Sequence, residues 1–432
     1  MEDLLQLSDV SVVDVTKDNE HTYHIDAVVN IELKQCSNCS SDQLIKNGNK
    51  LTLYRDRPIH GLLVGIYLKR RRYKCKQCHS TLYQSSFEMH EKALMTKRLY
   101  QHIYEASFNQ TFQSVANEVG VNEKTVRRIF SEAIKPNLDR YKPLTPIILG
   151  IDEAHLIGSP RCVITNVKEH CLVDMLPNRN KVTLTHYISN LTDKHKISVV
   201  SIDMWRPYLM VIKELLPQAI VVIDKFHVVK LAQEALEKAR KAIKSQLSDK
   251  ERKQLKNDRY LLLKRQRDLS ELNKMILFDW FAKFPELEHV YILKESFFCI
   301  FDLTDKQQAI TAYDNWLTLI DDNVREYFEP VAKTIENWKE HIFNYFDYQY
   351  TNSCTGAIDS LTKVMNKNGR GYSFEVLRAK SVLSLNSRKY KKTRKSKLFN
   401  RSGSALPDEN LAPPIYYGQN ISTLYAEYQS LK

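Results

Sequence analysis

Glycine is scarce in this chain, at 11 of 432 residues. That excludes collagen-like repeats and long glycine linkers. No apolar run approaches the roughly 18 residues that a membrane-spanning helix needs, so no membrane partner is expected. The opening MEDLLQLSDV carries acids where a secretory leader needs Lys or Arg ahead of an apolar core, so a cytoplasmic location is expected. There is no internal repeat, no P-loop and no dinucleotide fingerprint, and neither ATP nor NAD is implied. What is present is an ordinary globular composition, 43% hydrophobic and 27% charged. At about one domain per 150 residues the length suggests two to four domains. Lys and Arg total 64 against 51 Asp and Glu, a net charge of +13. Such an excess favours a polyanionic partner, nucleic acid first, although many basic proteins bind none.

Four of the eight cysteines form two CxxC pairs, Cys36 with Cys39 (CSNC) and Cys75 with Cys78 (CKQC). Two such turns present four thiolates to one tetrahedral ion, and Zn2+ is the expected metal. A redox pair is the alternative, weakened because two pairs occur together. The gap between them is long and carries the β-like runs LTLYRDRPI and LLVGIYLKRRRYK, which suit a zinc ribbon hairpin with a knuckle at each end. The run Lys69-Arg70-Arg71-Arg72 leads into the second knuckle. On a hairpin it either lies along a phosphate backbone or guards an edge strand with charge.

Residues 96–134 read as helices. Thr96 can cap the first, KRLYQHIYEASF. In TFQSVANEVGVNEKTVRRIFSEAI, Ala116 allows close helix approach, Gly120 suits a positive-φ turn, and Asn122 can cap the next helix. That helix would present Glu123, Lys124, Thr125, Arg127 and Arg128, the pattern of a helix-turn-helix placing its second helix in a DNA major groove. Lys135-Pro136 is expected to end it, and Pro136, Pro143 and Pro146 mark a linker.

From residue 147 the pattern becomes βββαβαβ, an α/β order that fits an RNase H-like sheet. An acid stands where each of three apolar runs ends or is interrupted: Asp152 in LGIDEAH, Asp203 in VSIDMWRPY and Asp224 in VVIDKFH. A carboxylate beside a buried strand costs several kcal/mol unless compensated, and a divalent metal compensates it. Mg2+ or Mn2+ held by Asp152 and Asp203 would suit two-metal phosphoryl transfer. Asp224 is equally explained as a helix N-cap, and His227 one turn later as a packed histidine.

With these residues in hand, the chain resembles bacterial insertion-sequence DDE transposases of the ISL-three family. The resemblance rests on CSNC to CKQC, the helix-turn-helix, LGIDE, SIDMWRPY, IDKFHVVK and RGYSFEVLRAK, and runs to about residue 385. It implies an RNase H-like catalytic domain with a long helical insertion, preceded by a zinc ribbon and a helix-turn-helix. It also implies an activity that cuts and joins double-stranded DNA at terminal inverted repeats and inserts into target DNA. Asp152 and Asp203 match the family's first two metal-binding acids, and Asp224 and His227 match its D-x-x-H feature. The third acid departs from the pattern. Where the family carries Glu within T-N-x-x-T-E, this chain reads Thr351-Asn352-Ser353-Cys354-Thr355-Gly356. Asp359 lies three residues on, and Glu375 matches an ordinary family position. A catalytically impaired copy is expected, and a non-catalytic DNA-binding descendant is the rival. An RNase or junction resolvase would leave the DNA-recognition modules unexplained.

The expected division is 1–90 with the ribbon, 91–140 helix-turn-helix, 147–230 first part of the catalytic core, 231–347 helical insertion, 348–385 C-terminal part of the core, and 386–432 basic tail and linker. The insertion is rich in Lys and Arg over 238–267, either a solvated face or a DNA-contacting arm, and Trp280, Trp316 and Trp338 read as core. The tail SRKYKKTRKSKLFNR either binds phosphates without sequence preference or only solubilises the chain. Pairing two DNA ends implies a homo-oligomer that is nucleoid-associated when bound.

Overall fold

Alternation of apolar and polar residues sets the N-terminal sheet. The computed structural model describes residues 5–18, 22–351 and 353–391. It divides into two units, one holding Tyr141 and everything described before it plus Asn368–Lys380, the other Lys142–Lys367 and the described residues from Ser381. In the first unit, β1 (Val10–Lys17) and β2 (Thr22–Val29) join a long hairpin of β3 (Leu44–Ile59) and β4 (Leu62–Cys75). Short strands β5 (Thr81–Tyr83), β6 (Met89–His90) and β7 (Met95–Thr96) complete a seven-stranded sheet of order β1-β2-β4-β3-β7-β6, with β5 on β4. The hairpin turns at His60 and Gly61, both at positive φ. Its inward face carries Val64, Ile66 and Leu68, packed with Ile25, Ala27 and Tyr54. The expected ribbon is therefore the hairpin of a larger sheet, and both knuckles sit at its open end. The strands β1 and β2 were not anticipated, since their half-exposed alternation is broken by polar residues.

The helices α1 (Lys97–Ala106), α2 (Phe112–Val119) and α3 (Glu123–Arg140) follow. The capping oxygens act as expected: Thr96 accepts from the Leu99 N–H and Asn122 from the Lys124 N–H. Gly120 holds φ +67° between α2 and α3, a conformation that favours glycine, and an added Cβ would push aside the exposed tip of Leu63. Pro136 does not end the helix, which runs on to Arg140. Proline removes only the bond to the Glu132 carbonyl, and Pro136 lies on an exposed face where water can take that carbonyl.

The second unit holds a five-stranded sheet, β8 (Ile148–Leu156), β9 (Ser159–Asn166), β10 (Cys171–Leu176), β11 (Val199–Ile202) and β12 (Ile220–Ile223), in the order β10-β9-β8-β11-β12. The β8–β9–β10 meander is antiparallel, and β8, β11 and β12 are parallel, consistent with the RNase H-like expectation. The crossovers are α4 (Lys181–Ser189) and α5 (Arg206–Leu215). After β12 the chain enters α6 (Lys225–Ala242), α7 (Asp249–Asn257), α8 (Arg259–Leu263), α9 (Glu271–Lys283), α10 (Pro285–Ile300), α11 (Lys306–Thr318) and α12 (Arg325–Tyr348). One apolar core runs from Leu149 and Ile202 in the sheet to Trp280, Trp316 and Trp338 in this insertion. The Trp316 indole donates to the Leu293 carbonyl at 3.0 Å and that of Trp280 to Asp258 at 2.8 Å, so each buried N–H is satisfied. Asn344 on α12 donates to the Val221 carbonyl at 3.0 Å, fastening the insertion back onto β12.

The arginines of the insertion's basic stretch are ion-paired, Arg240 and Arg259 with Glu237, Arg252 with Asp249, and Arg265 and Arg267 with Asp302. Helix α13 (Ser353–Gly369) and α14 (Phe374–Lys391) close the described chain. Residues 368–380 pack with the helix-turn-helix. Tyr372 lies 4.9 Å from Phe112, Arg127 donates to the Gly371 carbonyl at 2.9 Å, and Lys380 donates to the Gln110 carbonyl at 2.9 Å. The stretch expected as the C-terminal part of the core is thus shared between the two units. The basic tail from residue 392 lies outside the described residues.

Candidate functional site

Sheet register builds the acid cluster. Ile151, Ile202 and Ile223 are aligned partners across β8, β11 and β12. The next residue on each strand is an acid, so Asp152, Asp203 and Asp224 stand at one level. Isoleucine alternates with them into the core below, which puts all three acids on the opposite face. Gly150 and Ser201, two residues earlier on that face, are small and leave room. Asp224 then caps α6, accepting from the Phe226 N–H, and the first turn brings His227 back over the strands.

His227 Nδ1 lies 2.9 Å from Asp203 Oδ1 and 3.5 Å from Asp224 Oδ2. Asp152, Asp203 and His227 offer ligand atoms that all fall within 4.8 Å of one another. Burial, then the charge of Asp203, pushes the Asp152 carboxyl up to about 8. Burial alone would lower His227, but its contacts with Asp203 and Asp224 hold it up to about 10. Crowded carboxylates that retain a proton, with an imidazolium leaning on them, mark a site short of positive charge. Neither Asp203 Oδ1 nor His227 Nδ1 has a well-directed hydrogen bond, although both are buried. Hard oxygen donors with unsatisfied lone pairs fit a divalent cation. The structure thus brings together Asp152, Asp203 and His227 of the expected set, and gives Asp224 the capping role as well as a contact to His227.

The third expected position lies on α13. Gly356 is exposed, and an added Cβ there would meet nothing within 4 Å. The side chain of Asp359 lies outside the described residues.

The other cluster joins both knuckles of the first unit. Cys36 and Cys78 sulfurs are 3.5 Å apart, Cys39 and Cys75 3.6 Å, and all four lie within 4.8 Å. A tetrahedron of thiolates about 2.3 Å from zinc has edges of about 3.8 Å, so the donor set fits the ion. Hydrogen bonds from the Ser80 side chain and backbone pull the Cys78 thiol down to about 6, and backbone bonds from Cys78 and Gln77 lower Cys75. Cys39 is helped by a backbone bond from Ser41, yet burial and the other thiols push it up to about 12. Four neighbouring thiolates cannot all form without a cation between them.

The residues expected to touch DNA fare unevenly. Lys69 is exposed on β4. Arg70 is 8% exposed and turned inward, bonded to the Gln84 carbonyl at 2.6 Å, Tyr54 at 3.0 Å and Glu91 at 2.8 Å. It continues the inward alternation of Val64, Ile66 and Leu68, a signal the sequence already carried. Arg71 pairs with Glu32 and Arg72 donates to the Asn47 carbonyl. On α3, Lys124 and Arg128 are exposed and Thr125 half-buried. Arg128 pairs with Glu132, and Arg127 is held by Glu123, the Gly371 carbonyl and the Phe112 ring.

Sequence reasoning missed three residues beside the acids. Glu153 is ion-paired with Arg179, whose guanidinium lies 4.3 Å over the Trp205 ring. Adjacency to Asp152 and Asp203 was the available signal for Glu153 and Trp205. Nothing local marked Arg179.

Comparison with known proteins agrees with this layout. Residues 149–381 match the model of the ISL3 transposase family, described as transposase. Residues 91–134 match the helix-turn-helix domain of transposase family ISL3. Residues 32–78 match the zinc-finger of transposase IS204/IS1001/IS1096/IS1165. The chain is 22% identical over 347 residues to the transposase for insertion sequence element IS1001 of Bordetella parapertussis, covering 78% of this chain and 85% of that relative. No helix among the described residues is long and apolar enough to cross a membrane. The order of ribbon, helix-turn-helix and acid-bearing sheet, together with a family match over more than half its length, places this chain in the ISL3 family of transposases.

Proposed function

We propose that this chain binds the terminal inverted repeats of an insertion sequence and cuts and joins DNA strands by metal-assisted phosphoryl transfer. One observation carries the reading: Asp152, Asp203 and His227, from elements far apart in sequence, converge with ligand atoms within 4.8 Å. Asp152 and Asp203 would hold divalent Mg2+ or Mn2+. Such ions activate a water or sugar hydroxyl and stabilise the leaving oxygen. Asp224 fixes the start of α6, and His227 orients Asp203. Cys36, Cys39, Cys75 and Cys78 would hold Zn2+ and so order the open end of the hairpin. Lys69, Lys124, Thr125 and Arg128 remain the DNA-facing candidates, while Arg70 and Arg127 hold the module together. Pairing of two ends calls for a homo-oligomer, working on DNA in the cytoplasm and nucleoid.

The test is strand cleavage on DNA bearing the inverted repeats that flank the gene. Asp152→Ala is expected to abolish metal-dependent nicking and leave DNA binding intact. Gly356 favours a second reading, a DNA-binding protein that has lost catalysis. Specific binding without any Asp152-dependent cleavage would establish that second reading. If cleavage is weak and Gly356→Glu strengthens it, the missing third acid is the cause. Equal, robust cleavage by both forms refutes impairment.

A further inference from the structure

Two residues after Asp203, Trp205 keeps 38% of its surface exposed, whereas Trp280, Trp316 and Trp338 are 3%, 2% and 5% exposed. Its ring is nevertheless held. The backbone N–H of Trp205 donates to the backbone carbonyl of Asp203 at 2.7 Å, which fixes the turn that carries the ring. Arg179 stacks 4.3 Å over the ring and is ion-paired with Glu153. The Glu153 N–H in turn donates to Asp152 Oδ1 at 2.7 Å. A short chain of contacts therefore runs from this ring through Arg179 and Glu153 to Asp152, and the backbone turn keeps the ring two residues from Asp203. Exposed aromatic area costs hydrophobic stabilisation, and Arg179 covers one face without burying the ring.

A flat ring with a guanidinium on one side is the equipment that holds an unpaired nucleobase and its phosphate: the ring stacks and the cation neutralises. The acids themselves are recessed, with the Asp203 side chain 18% exposed. A scissile phosphate reaches such a site more easily when the base beside it leaves the duplex stack. We propose that Trp205 is the platform on which that unpaired nucleobase stacks, with Arg179 engaging the adjoining phosphate. The inference rests on the cleavage reading above but is a binding property, measurable without turnover.

The experiment uses the full chain carrying Asp152→Asn, to prevent cleavage, with Mg2+. The probes are a forked duplex with unpaired thymidines at one end and the same fork with abasic residues. Trp205 is the one exposed tryptophan, so stacking is read as quenching of its emission. The thymidine fork is expected to quench and the abasic fork not. With affinity read for every variant as the anisotropy of a dye-labelled fork, adding Trp205→Ala should weaken the thymidine fork about tenfold to a hundredfold and leave the abasic fork unchanged. Trp205→Phe should restore most of the affinity. Equal quenching by both forks, or equal loss on both in Trp205→Ala, overturns the proposal. Failure here alongside Asp152-dependent cleavage by the unmodified chain sinks this inference alone. Selective quenching without any such cleavage sinks the cleavage reading alone.

Discussion

The two units each gather one tight cluster of side chains that could hold a metal ion, and they do so by opposite means. In the first unit the four thiols come from two short knuckles at the open end of one hairpin, and sequence spacing alone announces them. In the second the donors come from β8, the end of β11 and the first turn of α6, and only sheet register brings them together. The chemistry differs accordingly. Four thiol donors would close around a zinc ion, as structural zinc sites are closed, whereas two carboxylates beside a histidine would leave positions open on any ion they held. The lesson is that the first cluster should hold the fold and the second should burden it.

The largest expected effect breaks or confirms that contrast directly. Stripping zinc with a strong chelator, or Cys75→Ser, should unfold the knuckle end and abolish DNA binding, because metal affinity at such sites is folding free energy of about 10–16 kcal/mol in small zinc modules. Removing Mg2+ should stop cleavage and lower the melting point by only a few degrees, with the fold kept. Zinc content, circular dichroism and melting in the two chelation regimes decide it. A chain whose ribbon melts unchanged without zinc would dissolve the comparison.

Next in size is Asp152→Asn. Its carboxyl, ordinarily near 3.8, is raised to about 8 by burial and by Asp203. The folded state therefore binds the proton more tightly than the unfolded state. Stability from this group is present below the unfolded value and falls as pH rises towards 8. At neutral pH without metal, Asn should stabilise the protein by up to about 4 kcal/mol, at roughly 1.4 kcal/mol for each unit between the unfolded value and pH 7. A calorimetric midpoint that drops in Asp152→Asn would mean that the acids support the fold.

Each unit also buries one lysine among aromatic rings, and the pair sharpens the comparison further. Lys380 is 3% exposed, over the rings of Phe112, Phe130 and Tyr372, and burial alone lowers it to about 8. Lys294 is fully buried, also lowered to about 8, but Glu295 lies 2.6 Å away. Both pKa values are depressed, so the unfolded chain binds more protons between pH 8 and 10.5. Stability should climb across that window, by at most about 3 kcal/mol per lysine. In pH-dependent unfolding, Lys380→Met should flatten the climb for the DNA-binding unit. Lys294→Met should flatten it for the other. An unaltered slope in both rejects the assignment.

Much of this was legible before the structure, and the reasons are local. Thr96 and Asn122 cap helices because their side chains reach the first free N–H groups, and Gly120 announces its turn. The acids were visible because they interrupt buried strands. What stayed hidden depends on contacts distant in sequence. Residues 368–380 dock on the helix-turn-helix through Tyr372 and Lys380, and nothing in their own pattern predicts it. Arg70 is the instructive miss, since its charge suggested phosphate while its parity on β4 put it beside Val64, Ile66 and Leu68, where Glu91 and Tyr54 receive it.

The smallest expected effect tests whether the second site is incomplete by loss of a side chain or by loss of a place for one. Gly356 lies in the first turns of α13, exposed, with open space around a would-be Cβ. Replacing glycine there removes a helix penalty of about 1 kcal/mol or less, and a carboxylate near a helix N-terminus adds a few tenths. Gly356→Glu should therefore raise stability slightly in the metal-free protein, by about 0.5–1 kcal/mol in denaturant titration. A third carboxylate joining Asp152 and Asp203 would add repulsion without metal and relieve it with metal. Stabilisation by Mg2+ should then be larger in Gly356→Glu than in the parent chain. If the glutamate raises helix stability yet leaves the Mg2+ response untouched, residue 356 is only a helix position and the acid set ends with Asp152 and Asp203.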